Sequence, residues 1–305
     1  MRKIYFLLFS FLFSISIQAQ TADEYFVSAF QKFQKNDFAG ALDDYTKVIA
    51  AKPDYADAWF NRAICYDKLN KIEEALTDYN QVIFLQPDDA NAYLNRGMIY
   101  DQLGKIKLAL VDLDKAIKLN PDLASAWYRR AVIYEKMNAD TLAEKDFKKY
   151  LSFYPYSTSA NYYLANLYDK MEELEAAIFC YTKVLLVDTT NAKAWYYRAY
   201  DYDLISKPEL AINDYTKAIA ADANYIDAYF NRAFLYDDLG QFDKAVADYE
   251  KVITLQPDAL DAYYNMGLAK ISMGRKRGGC AAFKYAADRG DKASKKFWSV
   301  NCKQK

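Results

Sequence analysis

The feature that most restricts this chain is a strict 34-residue period. Counted from Ala22 as place one, eight units follow without insertion or deletion: 22–55, 56–89, 90–123, 124–157, 158–191, 192–225, 226–259 and 260–293. Place 8 reads Ala29, Ala63, Gly97, Ala131, Ala165, Ala199, Ala233 and Gly267. Place 20 reads Ala41, Ala75, Ala109, Ala143, Ala177, Ala211, Ala245 and Gly279. Small residues recurring at two fixed places predict two helices that cross closely there, where larger side chains would hold them apart. Large residues surround this crossing. Place 4 is Trp or Tyr in seven units, with Asn161 the exception, and place 24 is Tyr, Phe or Leu throughout. Places 4, 8 and 11 share one helical face, and places 20, 24 and 27 share another.

The punctuation agrees. Place 15 is Gly or Asn in six units, residues that tolerate the left-handed backbone ending a first helix. Five of the six prolines, Pro53, Pro87, Pro121, Pro155 and Pro257, stand at place 32, where the second helix must stop. Pro208 suits the opening of a second helix. Over residues 22–293 the pattern resembles the tetratricopeptide repeat family. The resemblance implies an all-α, right-handed superhelical α-solenoid of eight 34-residue helix-turn-helix repeats with a concave inner groove. A C-terminal capping helix and basic tail, residues 291–305, complete the reading. Ala293, Phe297 and Val300 are expected to face the array, and Lys292, Lys295 and Lys296 to face water.

Two places covary. Arg62, Arg96, Arg130, Arg198 and Arg232 stand at place 7, and Asp78, Asp112, Asp146, Asp214 and Asp248 at place 23 of the same units. In units five and eight both change together, to Leu164 with Cys180 and to Met266 with Ala282. This predicts an ion pair between the two helices of each repeat.

Residues 1–20 read as an export signal: Arg2 and Lys3, an apolar run from Ile4 to Ile17, then Ala19. An uncleaved anchor is the other reading. The expected location is the periplasm or cell envelope of a Gram-negative bacterium. Export makes disulfides available. Cys280 and Cys302 lie ten residues before and twelve after Gly290, the turn between the last two helices, so they face each other in an antiparallel hairpin. Their spacing also resembles the terminal unit of exported tetratricopeptide proteins of the Bacteroidota. Cys65 and Cys180 read as buried small hydrophobes.

Composition argues against catalysis. The chain has no histidine, hence neither the commonest general base nor the commonest zinc ligand. It shows no phosphate-binding glycine loop and no serine elbow, and no metal or cofactor is expected. A formal net charge of −1 argues neither for nor against nucleic acid, and no nucleic-acid partner is expected. The charge is unevenly spread, however. Residues 274–305 carry ten basic side chains against two acidic ones on an otherwise acidic body.

What remains is binding. By the resemblance, first helices line the groove. Place 5 holds Phe26, Phe60, Leu94, Tyr128, Tyr162, Tyr196, Phe230 and Tyr264, which offer stiff aromatic contact or serve inter-repeat packing. Place 6 holds Asn61, Asn95, Asn231 and Asn265. Such amides hold an extended peptide backbone in some family members, since each offers donors and an acceptor. Place 12 carries an acid in six successive units: Asp67, Asp101, Glu135, Asp169, Asp203 and Asp237. A concave row of like charge attracts basic segments, and a solvated edge is its other reading. No place 5 residue is lysine, which excludes the carboxylate clamp of chaperone-binding relatives. The expected function is a non-catalytic protein–protein interaction scaffold, favoured as a monomer, that binds a protein or peptide segment. Self-association or membrane contact through the basic cap is the alternative.

The cysteine reading has a direct check. Alkylation of the native protein without reductant should leave Cys280 and Cys302 unmodified by mass spectrometry. Two labelled thiols there would refute the pairing.

Overall fold

The computed structural model describes residues 21–303. The expected export signal, residues 1–20, and Lys305 of the basic tail lie outside the described residues. Seventeen α-helices and no strand are found among the described residues, and none of these helices is long and apolar enough to cross a membrane. The chain divides into two compact units, the first ending at Arg129 and the second beginning at Arg130. The first holds α1 (Ala22–Gln34), α2 (Phe38–Ala51), α3 (Ala56–Lys68), α4 (Ile72–Leu85), α5 (Ala90–Gln102) and α6 (Ile106–Leu119). The division falls inside α7 (Ala124–Lys136). The second unit continues with α8 (Asp140–Phe153), α9 (Thr158–Lys170), α10 (Leu174–Val187), α11 (Ala192–Leu204) and α12 (Pro208–Ala221). It ends with α13 (Ile226–Asp238), α14 (Phe242–Leu255), α15 (Leu260–Ser272), α16 (Lys276–Asp288) and α17 (Lys292–Asn301). From α1 to α6 and from α8 to α17 each helix packs on the next in sequence, the local packing of an α-solenoid.

The small residues lie where the two helices of a repeat meet. Every alanine at places 8 and 20 is fully buried. A Cβ added to Gly279 would stand 2.7 Å from the Gly267 carbonyl oxygen, so the last crossing is closer than alanine permits. Place 15 is left-handed in all eight repeats, including Glu172 (φ 59°) and Ser206 (φ 58°), where the residue type gave no sign of it. The turn is imposed by the packing of the two helices it joins. Proline is likewise not what stops the second helix. α10 and α12 end at the same place without it, closing with Asp188 N–H donating to the Val184 carbonyl and Asp222 N–H to the Ala218 carbonyl. The following repeat then fastens the turn. Trp59, Trp127 and Trp195 each donate Nε1–H at 2.9 Å to the carbonyl at place 32, of Pro53, Pro121 and Thr189 respectively. Asn161 does the same with Nδ2, 3.0 Å from the Pro155 oxygen, so the one place 4 exception keeps the hydrogen bond and gives up the ring.

The covarying pairs are two-pronged ion pairs. Arg96 reaches Asp112 through Nε and Nη2, both at 2.7 Å, and Arg62, Arg130, Arg198 and Arg232 repeat the arrangement. In four of them Nη1 also donates to the preceding repeat, at Thr46, Asn80, Thr182 or Thr216. Each of these arginines therefore joins three helices. Burial pushes the Asp78 carboxyl up even against the Arg62 charge, so the fork offsets only part of its desolvation and acts chiefly on geometry. The first repeat substitutes a different set: Asp44 accepts from Ser28 Oγ at 2.7 Å and pairs with Lys32 Nζ at 2.6 Å.

The cap corrects one expectation. Phe297 faces inward and stacks on Phe283 at 4.3 Å, but Ala293 is exposed and Val300 is 74% exposed. Ser294 is buried instead. The cysteines set the roll of α17: Cys280 and Cys302 have Cα atoms 5.6 Å apart, within disulfide reach. A helix that must present residue 302 inward also presents 298 and 294 on that stripe and turns 300 away. Lys292, Lys295 and Lys296 are exposed.

Two stability measurements follow. In a double-mutant cycle on Arg96→Ala and Asp112→Ala, the double variant should be less destabilised than the sum of the singles, by a coupling of about 1–3 kcal/mol. Additive losses would remove the ion pair from the account. Glu172→Gly should raise stability by about 1 kcal/mol by relieving the left-handed backbone, read by urea denaturation.

Candidate functional site

The candidate site is built on the ring at place 24. In six repeats it meets the place 5 ring of its own repeat at 5.5–5.8 Å: Phe26 with Tyr45, Phe60 with Tyr79, Tyr162 with Tyr181, Tyr196 with Tyr215, Phe230 with Tyr249 and Tyr264 with Phe283. The place 5 aromatics are consequently half-buried, each serving the core with one face. Leu94 is buried and Tyr128 half-buried.

Place 6 of the next repeat comes to the other side of the same ring. Where it is tyrosine it stacks, Phe147 with Tyr163 at 5.6 Å and Tyr181 with Tyr197 at 6.0 Å. Where it is asparagine there is no ring to stack: Asn231 instead donates Nδ2–H to the Tyr196 hydroxyl at 3.1 Å, and the buried Tyr215 hydroxyl has no hydrogen-bond partner among the described residues. Asn61 and Asn265 are half-buried and make no side-chain hydrogen bond among the described residues.

The acids of place 12 converge on the same ring. Tyr181 donates its hydroxyl to Asp169 at 2.6 Å. The charges of Asp67, Asp203 and Asp237 help raise Tyr79, Tyr215 and Tyr249 above the ordinary phenol range, although burial is the larger cause. Asp67, Asp101, Glu135, Asp169, Asp203 and Asp237 are all half-buried. Desolvation pushes the carboxyls of Asp169, Asp203 and Asp237 up. Glu135 lies 3.6 Å from Lys170, whereas Asp67, Asp169, Asp203 and Asp237 have no ion-pair partner among the described residues. The three rows thus lie around one set of rings, local to each unit: Phe60, Asn61, Asp67 and Asn95 in the first, and Tyr162, Asp169, Tyr196, Asp203, Phe230 and Asn231 in the second.

One residue escaped the sequence reading. Asp201 stands at place 10, which is otherwise mostly apolar, and that mismatch was its available signal. It is 2% exposed, its Oδ2 is buried without a hydrogen-bond partner among the described residues, and the Asp169 carboxyl lies beside it. Burial, then the Asp169 charge, pushes its pKa up to about 8.

Family models for the tetratricopeptide repeat match residues 56–89, 90–123, 124–156, 158–191 and 226–259, together more than half the chain. The chain belongs to the tetratricopeptide repeat family. Among solved structures it is similar to the C-terminal part of a TPR repeat-containing protein from Cytophaga hutchinsonii, at 21% identity and a TM-score of 0.66 over 79% of this chain and 99% of that one. It is similar to MamA at 26% identity and a TM-score of 0.53, covering 60% of this chain and 97% of that one. YrrB, described as a TPR protein with an unusual peptide-binding site, is 22% identical with a TM-score of 0.55, covering 60% and 95%. No curated protein matches the chain. Tetratricopeptide arrays are protein–protein interaction scaffolds, and this chain is one by class.

The buried Asp201 carboxyl makes the site sensitive to pH. The folded chain holds the Asp201 proton more tightly than the unfolded chain, so stability is present below about pH 4 and is lost as pH rises toward 8. The slope is at most about 1.4 kcal/mol per pH unit. Asp201→Asn should flatten this loss between pH 5 and 8 in chemical denaturation; an unchanged slope would mean that Asp201 titrates normally.

Proposed function

We propose that this tetratricopeptide protein acts in the cell envelope as a scaffold that holds an extended, basic polypeptide segment against its first helices. The observation that carries this reading is the set of half-buried carboxylates without cations, Asp67 in the first unit and Asp203 and Asp237 in the second. A half-buried carboxylate with no partner is poorly solvated, so a lysine or arginine from a guest recovers interaction that water supplies only in part. The amides of Asn61 and Asn265, which make no internal side-chain hydrogen bond, supply donors and an acceptor for a guest backbone. The half-exposed faces of Tyr162, Tyr196 and Phe230 supply stiff apolar area. The peptide-binding site named for YrrB is consistent with this mode, and the envelope location rests on Arg2, Lys3 and the apolar run after them.

A second reading, self-association or membrane docking through the basic cap, is favoured by one feature. An open pocket of about 660 Å³ is lined by Lys276, Arg277, Lys303, Trp298 and the Cys280–Cys302 pair. It predicts association that is lost on neutralising Arg275, Lys276 and Arg277.

The groove is tested with an array of extended peptides of graded charge. Basic peptides should bind with affinity that falls as salt rises. Changing Asn61, Asn95 and Asn231 to Ala should weaken them roughly tenfold or more. Charge-blind binding, or binding unchanged in the triple variant, would end the assignment.

A further inference from the structure

The fifth repeat departs from the others at three places and the repeat before it at one, and the four meet in space. Place 4 carries an aromatic ring in the other seven repeats and Asn161 here; place 7 is Leu164 and place 23 Cys180, where five repeats carry the Arg–Asp fork. Place 25 of the repeat before it, which receives the third arginine prong as Thr46, Asn80, Thr182 or Thr216 elsewhere, is Lys148. Losing the ring and the guanidinium together leaves an open pocket of about 430 Å³, lined by Leu151, Leu164, Tyr168, Phe179, Cys180, Lys148 and Lys183 among others. This is within the size range of small-molecule sites, about 300–1,000 Å³, and like them it is mostly apolar with few polar groups.

Lys183 identifies what the pocket lacks. Its counterparts at place 26 lie over the place 4 ring of their own repeat, Lys47 over Tyr25 at 4.8 Å and Lys217 over Trp195 at 4.4 Å. Lys183 has no such ring and stands over Tyr156 and Phe179 instead, with no ion-pair partner among the described residues. Lys148 is already paired with Glu144. Both Nδ2 hydrogen bonds of Asn161 are spent on the Pro155 and Ser157 carbonyls, so Asn161 does not fill the space.

We propose that this pocket binds a small aromatic carboxylic acid, its ring in the volume that a tryptophan or tyrosine occupies in the other repeats and its carboxylate on the Lys183 ammonium. The ring fills the volume left by the missing place 4 side chain, and the carboxylate supplies the counter-charge that Lys183 lacks. Leu164 and the buried Cys180 thiol, pushed up to about 11 by burial and hence neutral, close the apolar floor.

The test titrates the full chain with indole-3-acetate and with its uncharged analogue indole-3-acetamide by isothermal calorimetry. The acid should bind the wild type, and the amide roughly tenfold more weakly. Lys183→Glu should abolish that preference. Asn161→Trp, which restores the ring of its neighbours, should remove binding of both while helicity and melting temperature are kept. Leu164→Arg combined with Cys180→Asp fills the same space independently and should also remove binding, should Asn161→Trp fold poorly. No binding to the wild type, equal affinity for acid and amide, or wild-type binding by either folded filled variant would overturn the proposal.

Discussion

Everything in this molecule depends on how closely the two helices of a repeat can cross. Alanine or glycine at places 8 and 20 lets the backbones approach until the rings around the crossing interlock. The consequences run outward from that distance. The turn between the helices must be left-handed whatever residue stands in it, as Glu172 and Ser206 demonstrate. The arginine at place 7 is near enough to fork onto the aspartate at place 23, and long enough to touch the preceding repeat as well. In the last repeat, where Gly279 meets Gly267, the crossing is tightest and the fork is absent.

The polar groups divide into two kinds by their surroundings. The forked aspartates are buried and satisfied, and they fix the angle of one helix on the next more than they stabilise the fold. The place 12 acids are half-buried and mostly without cations, so their charge remains directed at whatever approaches. Asp169 belongs to both kinds: Tyr181 and Asp201 hold it from within while it stays in line with Asp203 and Asp237. Within a repeat, the fork of places 7 and 23 ties the two helices together, while the place 12 acid lies by the place 24 ring, as Asp169 does by Tyr181.

The fifth repeat illustrates how a solenoid acquires a local feature without disturbing its neighbours. Contacts in such a fold are made only between adjacent repeats, so a change of several residues in one repeat is felt over one joint and no further. Asn161 keeps the hydrogen bond that fastens the turn, Leu164 and Cys180 keep the interior apolar, and α9 and α10 keep the lengths of their counterparts.

The sequence alone determined the repeat boundaries, the helix pairs, the crossing residues, the partner of each arginine and the facing of Cys280 and Cys302. All of these are periodic, and a period repeated eight times averages away the ambiguity of any single segment. The candidate groove rows were readable as places 5, 6 and 12 for the same reason. Only the tertiary structure decided which side of each half-buried ring stays available, that Asn61 and Asn265 are unengaged while Asn231 is held by Tyr196, and that Ser294 rather than Ala293 or Val300 faces the core. It also decided that the buried Asp201 carboxyl lies beside Asp169, a contact between two successive repeats. These are matters of a few ångströms and a few tens of degrees of helix roll. They depend on how neighbouring side chains fill space together, which no pattern along one strand of sequence encodes.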